Sequence, residues 1–335
     1  MTLSQGGGRN KCQTGKSQKS YPGQVLVRVG ADLEKLVVYA VGLEQQSILG
    51  ADWASAEPVA VAEFKDPVLL TDNVRTAALP ASVREALFAL YQSYPRRVEH
   101  LGVGTDWSPH LYPRVWGASI DTVFFARTLR HFVGPQVHAA AEVGCGSGFL
   151  TKLMLRYGEG IEKLAATDIN LEAVRCTADN LQSEPGHEKV HLIVPDAGAE
   201  DLALSGTYDL IASNPPYIPR PGARSDNPYE GLDLVARLAK RARQVLRPGG
   251  RILLNLSSLA GDEPLTWFEA EGLGVRALET MRVPLKVNPV TGGLSEASLA
   301  WRKHLEAQGR VEIDESEASG YRYWHNLRMF VVEAD

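Results

Sequence analysis

A chain of 335 residues, 44% hydrophobic and 22% charged, can bury a sizeable core as one large domain or as a catalytic domain with a smaller companion. A net charge of -5 weighs against a dedicated nucleic-acid binder, which would meet phosphates with a basic face. Three scattered cysteines (Cys12, Cys145, Cys176), no apolar run long enough to span a bilayer and no apolar signal segment at the start lead to the expectation of a cytoplasmic protein, with room for a homodimer.

In chain order, residues 1–22 read as a flexible tail, because nothing in them can bury an apolar face. Residues 23–105 read as a small α+β accessory domain suited to substrate recognition. Segments 25–29, 36–41 and 59–64 are rich in β-branched residues and predict short antiparallel strands. Pro80 precedes a predicted helix over 81–94, with Val83, Leu87, Leu90 and Tyr91 at helical spacing.

Residues 106–335 alternate strand and helix. Strand 137–143 ends in a glycine turn before helix 149–157, and strand 163–167 leads to Asp168. Asn170 is placed to cap a helix carrying Leu171, Val174, Ala178 and Leu181 on one face. Strands 190–194 and 208–212, helix 227–246, a turn over 247–250 and strand 251–256 follow, and 274–287 and 327–332 read as the last strands. Such alternation predicts a Rossmann-like α/β fold, a mostly parallel sheet with helices on both faces.

The glycine turn reads Glu142-Val143-Gly144-Cys145-Gly146-Ser147-Gly148. Alternate glycines let a backbone turn tightly and approach a ligand where a Cβ would collide. Ligands of open α/β sheets bind at the carboxyl ends of the strands, where this loop falls. A dinucleotide site is the rival reading, but its fingerprint wants a glycine where Phe149 stands. Asp168, with Ile169 beside it, can accept from ribose hydroxyls, and Asp196, with Ala197 beside it, from an adenine amino group.

The second motif is Ser213-Asn214-Pro215-Pro216-Tyr217. Two prolines stiffen the backbone and remove two amide donors. The Pro215 carbonyl and the Asn214 side-chain oxygen can take both hydrogens of a planar NH2 group, while Tyr217 stacks on its face. Transfer to such a nitrogen needs positioning and electrostatics rather than an acid or base. No Ser/His/Asp constellation is present, and His131, His138, His187 and His191 lack metal-site spacing, so no metal site is expected.

These segments, with Asp168 and residues 246–250, resemble the class I S-adenosylmethionine-dependent methyltransferases, and most closely the release-factor glutamine N5-methyltransferases. The run Tyr229-Glu230-Gly231-Leu232-Asp233-Leu234 and Ile120-Asp121-Thr122 are similar to that family too. The resemblance implies a seven-stranded sheet and S-adenosyl-L-methionine as cofactor. It implies a protein glutamine amide as acceptor, Asn214, Pro215 and Tyr217 against that acceptor, and Thr122 and Asp168 against the donor. Two regions depart from the family. Its amino-terminal domain is helical where this one reads as strands, and residues 288–326, with a predicted helix over 295–308, form an insertion where a lid could lie.

Other acceptors suit the same clamp. A guanidinium or another small amino-acid-derived metabolite would be drawn by Glu312, Asp314, Glu315 and Glu317, a run that is more often solvated surface. An adenine amino group in nucleic acid would need Arg220, Arg224, Arg237, Lys240, Arg241 and Arg243 as a basic face. Tyr321, Tyr323, Trp324 and His325 read as core beside the last strand, or as an aromatic wall. A binding protein without turnover would show a damaged glycine loop or Asn-Pro-Pro-Tyr, and both are intact.

Overall fold

The computed structural model describes residues 23–31, 33, 35–42, 58–63, 90, 95–195, 202–220, 231–285, 296–314, 321 and 323–334. The expected tail 1–22, most of the expected helix 81–94, and Asp196, Ala197, Arg224, Glu315 and Glu317 lie outside them.

Two sheets are present among the described residues. The first has the order β3-β2-β1-β4-β5, built from β1 (Gly23–Val29), β2 (Lys35–Gly42), β3 (Pro58–Glu63), β4 (Arg96–His100) and β5 (Val103–Trp107). The three strands expected from β-branched runs are antiparallel neighbours. The pair β4 and β5, not foreseen, hides in polar sequence, and β4 lies parallel to β1. Strand β5 also runs across the expected domain boundary at residue 105.

After α1 (Ile120–Leu129), the chain alternates as expected: β6 (Ala139–Val143), α2 (Phe149–Tyr157), β7 (Lys163–Thr167), α3 (Leu171–Leu181), β8 (Val190–Ile193), β9 (Tyr208–Ser213), α4 (Asp233–Val245) and β10 (Leu246–Ser257). Then come α5 (Glu263–Ala270), β11 (Gly274–Pro284), α6 (Glu296–Ala307), β12 (Glu312–Ile313) and β13 (Tyr323–Glu333). The second sheet runs β11-β13-β10-β9-β6-β7-β8, the seven strands expected, and β12 hangs on β13 as an eighth. Strands β8, β7, β6, β9 and β10 are mutually parallel, and β13 runs antiparallel between β10 and β11.

Local chemistry explains several boundaries. Asn170 caps α3 as expected, its Oδ1 accepting from the Glu172 amide at 3.1 Å. Helix α4 begins at Asp233, later than the expected 227, and residues 227–230 are outside the described set. The expected turn 247–250 is an irregularity inside β10, where the register with β9 jumps between Leu246 and Arg251.

One face of the large sheet packs on α1 and α2. Val27, Val29, Val98 and Val103 of the first sheet join that same core, beside Phe124, Phe125 and Leu153. Each fully buried large side chain there contributes about 1.5–3 kcal/mol relative to exposure. The opposite face packs on α4 and α5 through Val235, Leu238 and Phe268. The first sheet is thus fused to the second rather than tethered to it: Asn180 of α3 accepts from the Asp106 amide and donates to its carbonyl, at 2.8 and 2.9 Å.

Residues 296–314, part of the insertion expected as a lid, are anchored. Leu305 and Val311 are buried, β12 pairs with β13, and Arg282 holds Glu312 at 2.7 Å.

Candidate functional site

A cavity of about 440 Å³ opens at the carboxyl ends of β6, β7 and β9, the position at which open α/β sheets bind ligands. One end is the glycine loop. The amides of Gly144 and Cys145 both donate to the Thr167 carbonyl, and the Gly146 amide donates to Asp168 Oδ2 at 3.0 Å. Gly146 has φ +53°, and a Cβ there would stand 2.8 Å from the Trp116 carbonyl. Glycine is required at this position both for its φ and for the close approach.

Asp168 uses its other oxygen to accept from the Asn170 amide at 2.9 Å, and burial pushes its carboxyl above the usual range. Each oxygen keeps a lone pair for a ligand. Burial likewise pushes Glu142 up to about 8, against the lowering effect of the Thr151 hydroxyl that donates to it. Beside Asp168, Ile169 and Leu171 leave large apolar side chains exposed at the cavity.

Beside the glycine loop, at the end of the neighbouring strand β9, lies the Asn-Pro-Pro-Tyr segment. Ser213 ties it to the first motif, its hydroxyl donating to the Val143 carbonyl at 2.9 Å. Asn214 is part-exposed on the cavity, and its Oδ1 accepts from Asn255 Nδ2 at 2.9 Å. Tyr217 lines the cavity with its ring 5.7 Å from that of His325, whose Nδ1 is 2.7 Å from the Ser257 hydroxyl.

The structure gathers Thr122, Glu142, Gly144, Cys145, Gly146, Asp168, Ile169, Asn214, Pro215 and Tyr217 around this one cavity. Gly148 is placed differently. It does not line the cavity; it caps the start of α2 with φ +79°, where a Cβ would meet Thr177 at 2.8–3.0 Å. Thr122 also serves α1, its hydroxyl accepting from the Ser119 amide at 3.3 Å.

Other expectations change too. Glu312 is held by Arg282 and Asn326, and Asp314 is buried; neither lines the cavity. Of the six-residue basic cluster, Arg220 is buried, Arg243 donates to the carbonyls of Glu271 and Gly272, and Arg237 lines the cavity. Trp324 and His325 are buried, as the core reading of that segment requires.

Two features escaped sequence reasoning. Residues 113–118 form a strap over the glycine loop, from which Arg114, Trp116 and Ala118 line the cavity. Asn255 lies one strand behind Asn214 and is wholly buried. A polar residue in an otherwise apolar strand, Leu253-Leu254-Asn255-Leu256, was the available signal. Among the described residues no group of three or more His, Cys, Asp and Glu is placed to hold a metal ion, and no helix is long and apolar enough to cross a membrane.

Residues 120–266 match the methyltransferase small domain family. Over 177 residues the chain is 27% identical to a tRNA1(Val) (adenine(37)-N6)-methyltransferase of Photorhabdus laumondii, covering 48% of this chain and 72% of that protein. It is 28% identical over 156 residues to a ribosomal protein uL3 glutamine methyltransferase of Neisseria gonorrhoeae, covering 41% of this chain and 51% of the relative. A release factor glutamine methyltransferase of Streptomyces coelicolor is 30% identical over 126 residues, which cover 33% of this chain and 43% of the relative. The chain therefore spans about half the length of these glutamine-modifying relatives.

Proposed function

With residues 120–266 an S-adenosylmethionine-dependent N-methyltransferase domain, we propose that the chain methylates a planar NH2 nitrogen, with a protein glutamine amide as the acceptor. The observation that carries the reading is the tethered Asn214. Its amide oxygen is fixed by Asn255 on the cavity wall, at the end of the strand beside the one that carries the glycine loop.

The residues present fit the donor. Glycines with positive φ at 144 and 146 leave backbone exposed where a Cβ would intrude. Asp168 offers two oxygens at a distance from the loop set by the Gly146 amide, and Ile169 and Leu171 offer apolar surface for a flat ring. When bound there, S-adenosylmethionine supplies an electrophilic methyl group. Asp168 would hold its ribose hydroxyls, and Thr122 and Glu142 lie where its amino-acid portion would reach.

On the acceptor side, one Asn214 lone pair is committed to Asn255 and the other is left for an acceptor N–H. The Pro215 carbonyl takes the second N–H. With both N–H bonds taken by acceptors in the plane of the incoming group, the nitrogen lone pair is left normal to that plane, on the face open to the donor. Tyr217, backed by His325, covers the face of the group. Because these groups are held before substrate arrives, little reorganisation accompanies transfer.

An adenine amino group is the second reading. It is favoured by the relative of which the match covers 72%. Glutamine is preferred here because Arg243 is committed to backbone carbonyls and Arg220 is buried, which removes two members of the basic face that nucleic acid would need. Of the acidic run that would draw a guanidinium acceptor, Glu312 and Asp314 do not line the cavity.

Labelled methyl transfer from S-adenosylmethionine to release factors, ribosomal proteins and tRNA tests the reading. Asn214→Ala is expected to bind donor and transfer nothing. Transfer at the wild-type rate would remove Asn214 from the mechanism, and label in tRNA alone would replace glutamine with adenine.

A further inference from the structure

Strap residues 113–118, with Ser119 behind them, are held at two points. At the start, Asn170 Nδ2 donates to the carbonyls of Pro113 and Arg114 at 3.3 and 2.9 Å. This is the same Asn170 whose amide donates to Asp168 and whose Oδ1 caps α3. Further along, Arg96 of β4 reaches across from the first sheet. Its Nε and Nη2 donate to the Ala118 carbonyl at 3.1 and 2.8 Å, and Nη2 also donates to the Gly117 carbonyl at 3.3 Å.

The clamp is built into the core. Arg96 is only 4% exposed, and its guanidinium lies 4.7 Å from the ring centre of Trp107, the last residue of β5. Gly117 sits so close to that ring that a Cβ would stand 2.6–2.8 Å from its atoms. Val115 packs with Trp107, Ala173 and Cys176 in a small cluster of its own. Burial lowers the Arg96 pKa to about 10, against the raising effect of Asp121, so the guanidinium stays charged at neutral pH.

A buried charge is costly unless its donors are used. Here they are spent on the carbonyls of a loop. The far side of that loop is ligand cavity: Arg114, Trp116 and Ala118 line it, and the Trp116 carbonyl lies over Gly146.

We propose that the amino-terminal sheet serves the donor end of the cavity, with Arg96 and Trp107 as a positioning pair that holds residues 113–118 over the glycine loop. The inference rests on the reading of the glycine loop as the donor site. It reassigns part of a region whose sequence suggested acceptor recognition. The pair touches neither ligand and acts by preordering a wall that donor binding would otherwise have to order.

Four variants test the inference. Arg96→Met removes the clamp, and Arg96→Lys keeps the charge but loses the two-pronged hold on Ala118. Gly117→Ala leaves Arg96 in place and forces the strap off Trp107. Val98→Ala, two residues along the same buried face of β4, thins the core and leaves the Arg96 clamp in place. The readouts are the Kd for S-adenosylmethionine by calorimetry, hydrogen exchange of the 108–119 amides in donor-free protein, Tm, and the acceptor KM at saturating donor.

Arg96→Met and Gly117→Ala are expected to raise the donor Kd about tenfold or more and to speed strap exchange, with acceptor KM unchanged. Arg96→Lys should fall between. Val98→Ala should lower Tm and leave the donor Kd at the wild-type value. Wild-type donor affinity and strap exchange in both Arg96→Met and Gly117→Ala would overturn the inference. So would an equal loss of donor affinity in Val98→Ala, which would make the effect one of general stability. If Arg96→Met does not fold, Gly117→Ala decides. A wild-type protein that binds no S-adenosylmethionine refutes the donor reading itself, whereas a binding wild type with unaffected variants refutes only the role of the sheet.

Discussion

Replacing Asn255 with leucine should make the protein more stable and a poorer catalyst. Asn255 is wholly buried, and its Oδ1 has no hydrogen-bond partner among the described residues. An unsatisfied buried acceptor costs about 1–3 kcal/mol, whereas the bond from Nδ2 to Asn214 returns a net of about 0.5–1.5 kcal/mol. Leucine, of similar shape, removes both terms, so Asn255→Leu ranges from neutral to about 2 kcal/mol more stable. In a domain of this size each kcal/mol is worth about 2–4 °C in Tm.

Asn214 sits part-exposed on the cavity and can turn its freed oxygen to water, so little stability is lost there. What it loses is its aim. Misplacing a reacting partner by an ångström costs about a hundredfold in rate, and kcat for Asn255→Leu should fall about ten- to a hundredfold, with the donor Kd unchanged. Thermal unfolding, donor calorimetry and labelled methyl transfer are the assays. A variant that transfers at the wild-type rate, or one destabilised by more than about 2 kcal/mol, would refute the reasoning.

Three further outcomes are expected. Glu142 carries a folded pKa of about 8, above its unfolded value, so its stabilising effect is complete at acid pH and lost as pH rises toward and through 8. The donor-free protein should therefore lose Tm from about pH 5 to 8, and Glu142→Gln should flatten that slope in pH-resolved thermal scans; an unchanged slope would assign it to other groups. Gly148→Ala should cost about 1–3 kcal/mol in denaturant unfolding, through a strained φ and contact with Thr177, a backbone atom among the atoms met. A neutral result would mean α2 can shift. Leu305→Ala should cost about 2–5 kcal/mol, because Leu305 is buried in the core cluster. A cost near zero in the same assay would mean that Leu305 contributes little to the core.

Much of the catalytic half was legible in one dimension because its signals are local. A strand, a glycine turn and a capped helix follow each other within the run from Ala139 to Leu181, and their order alone implies a parallel sheet with its ligand at the strand ends. Gly144, Gly146, Asp168, Asn214 and Tyr217 could be named because their types are required by backbone geometry or by hydrogen-bonding capacity at fixed positions in that order. Gly148 shows the limit of such signals: glycine is demanded equally by a ligand and by a close helix contact, as with Thr177 here, and residue type cannot separate the two.

Tertiary structure decided the rest, because the partners are far apart in sequence. Asn255 meets Asn214 across 41 positions, and Arg96 meets Ala118 across 22. Neither pair leaves a periodic trace. Strands β4 and β5 were missed because Arg96, Arg97, Glu99 and Asp106 make their sequence polar. The charges of Arg97, Glu99 and Asp106 are held by pairing, as between Arg97 and Asp106 at 2.6 Å, that exists only once the strands lie side by side. The sequence by itself determined the fold class and the chemistry of the transferred group, since both follow from short-range order. Only the folded chain shows which residues hold the strap 113–118 and Asn214 in place, since that depends on contacts closed by packing.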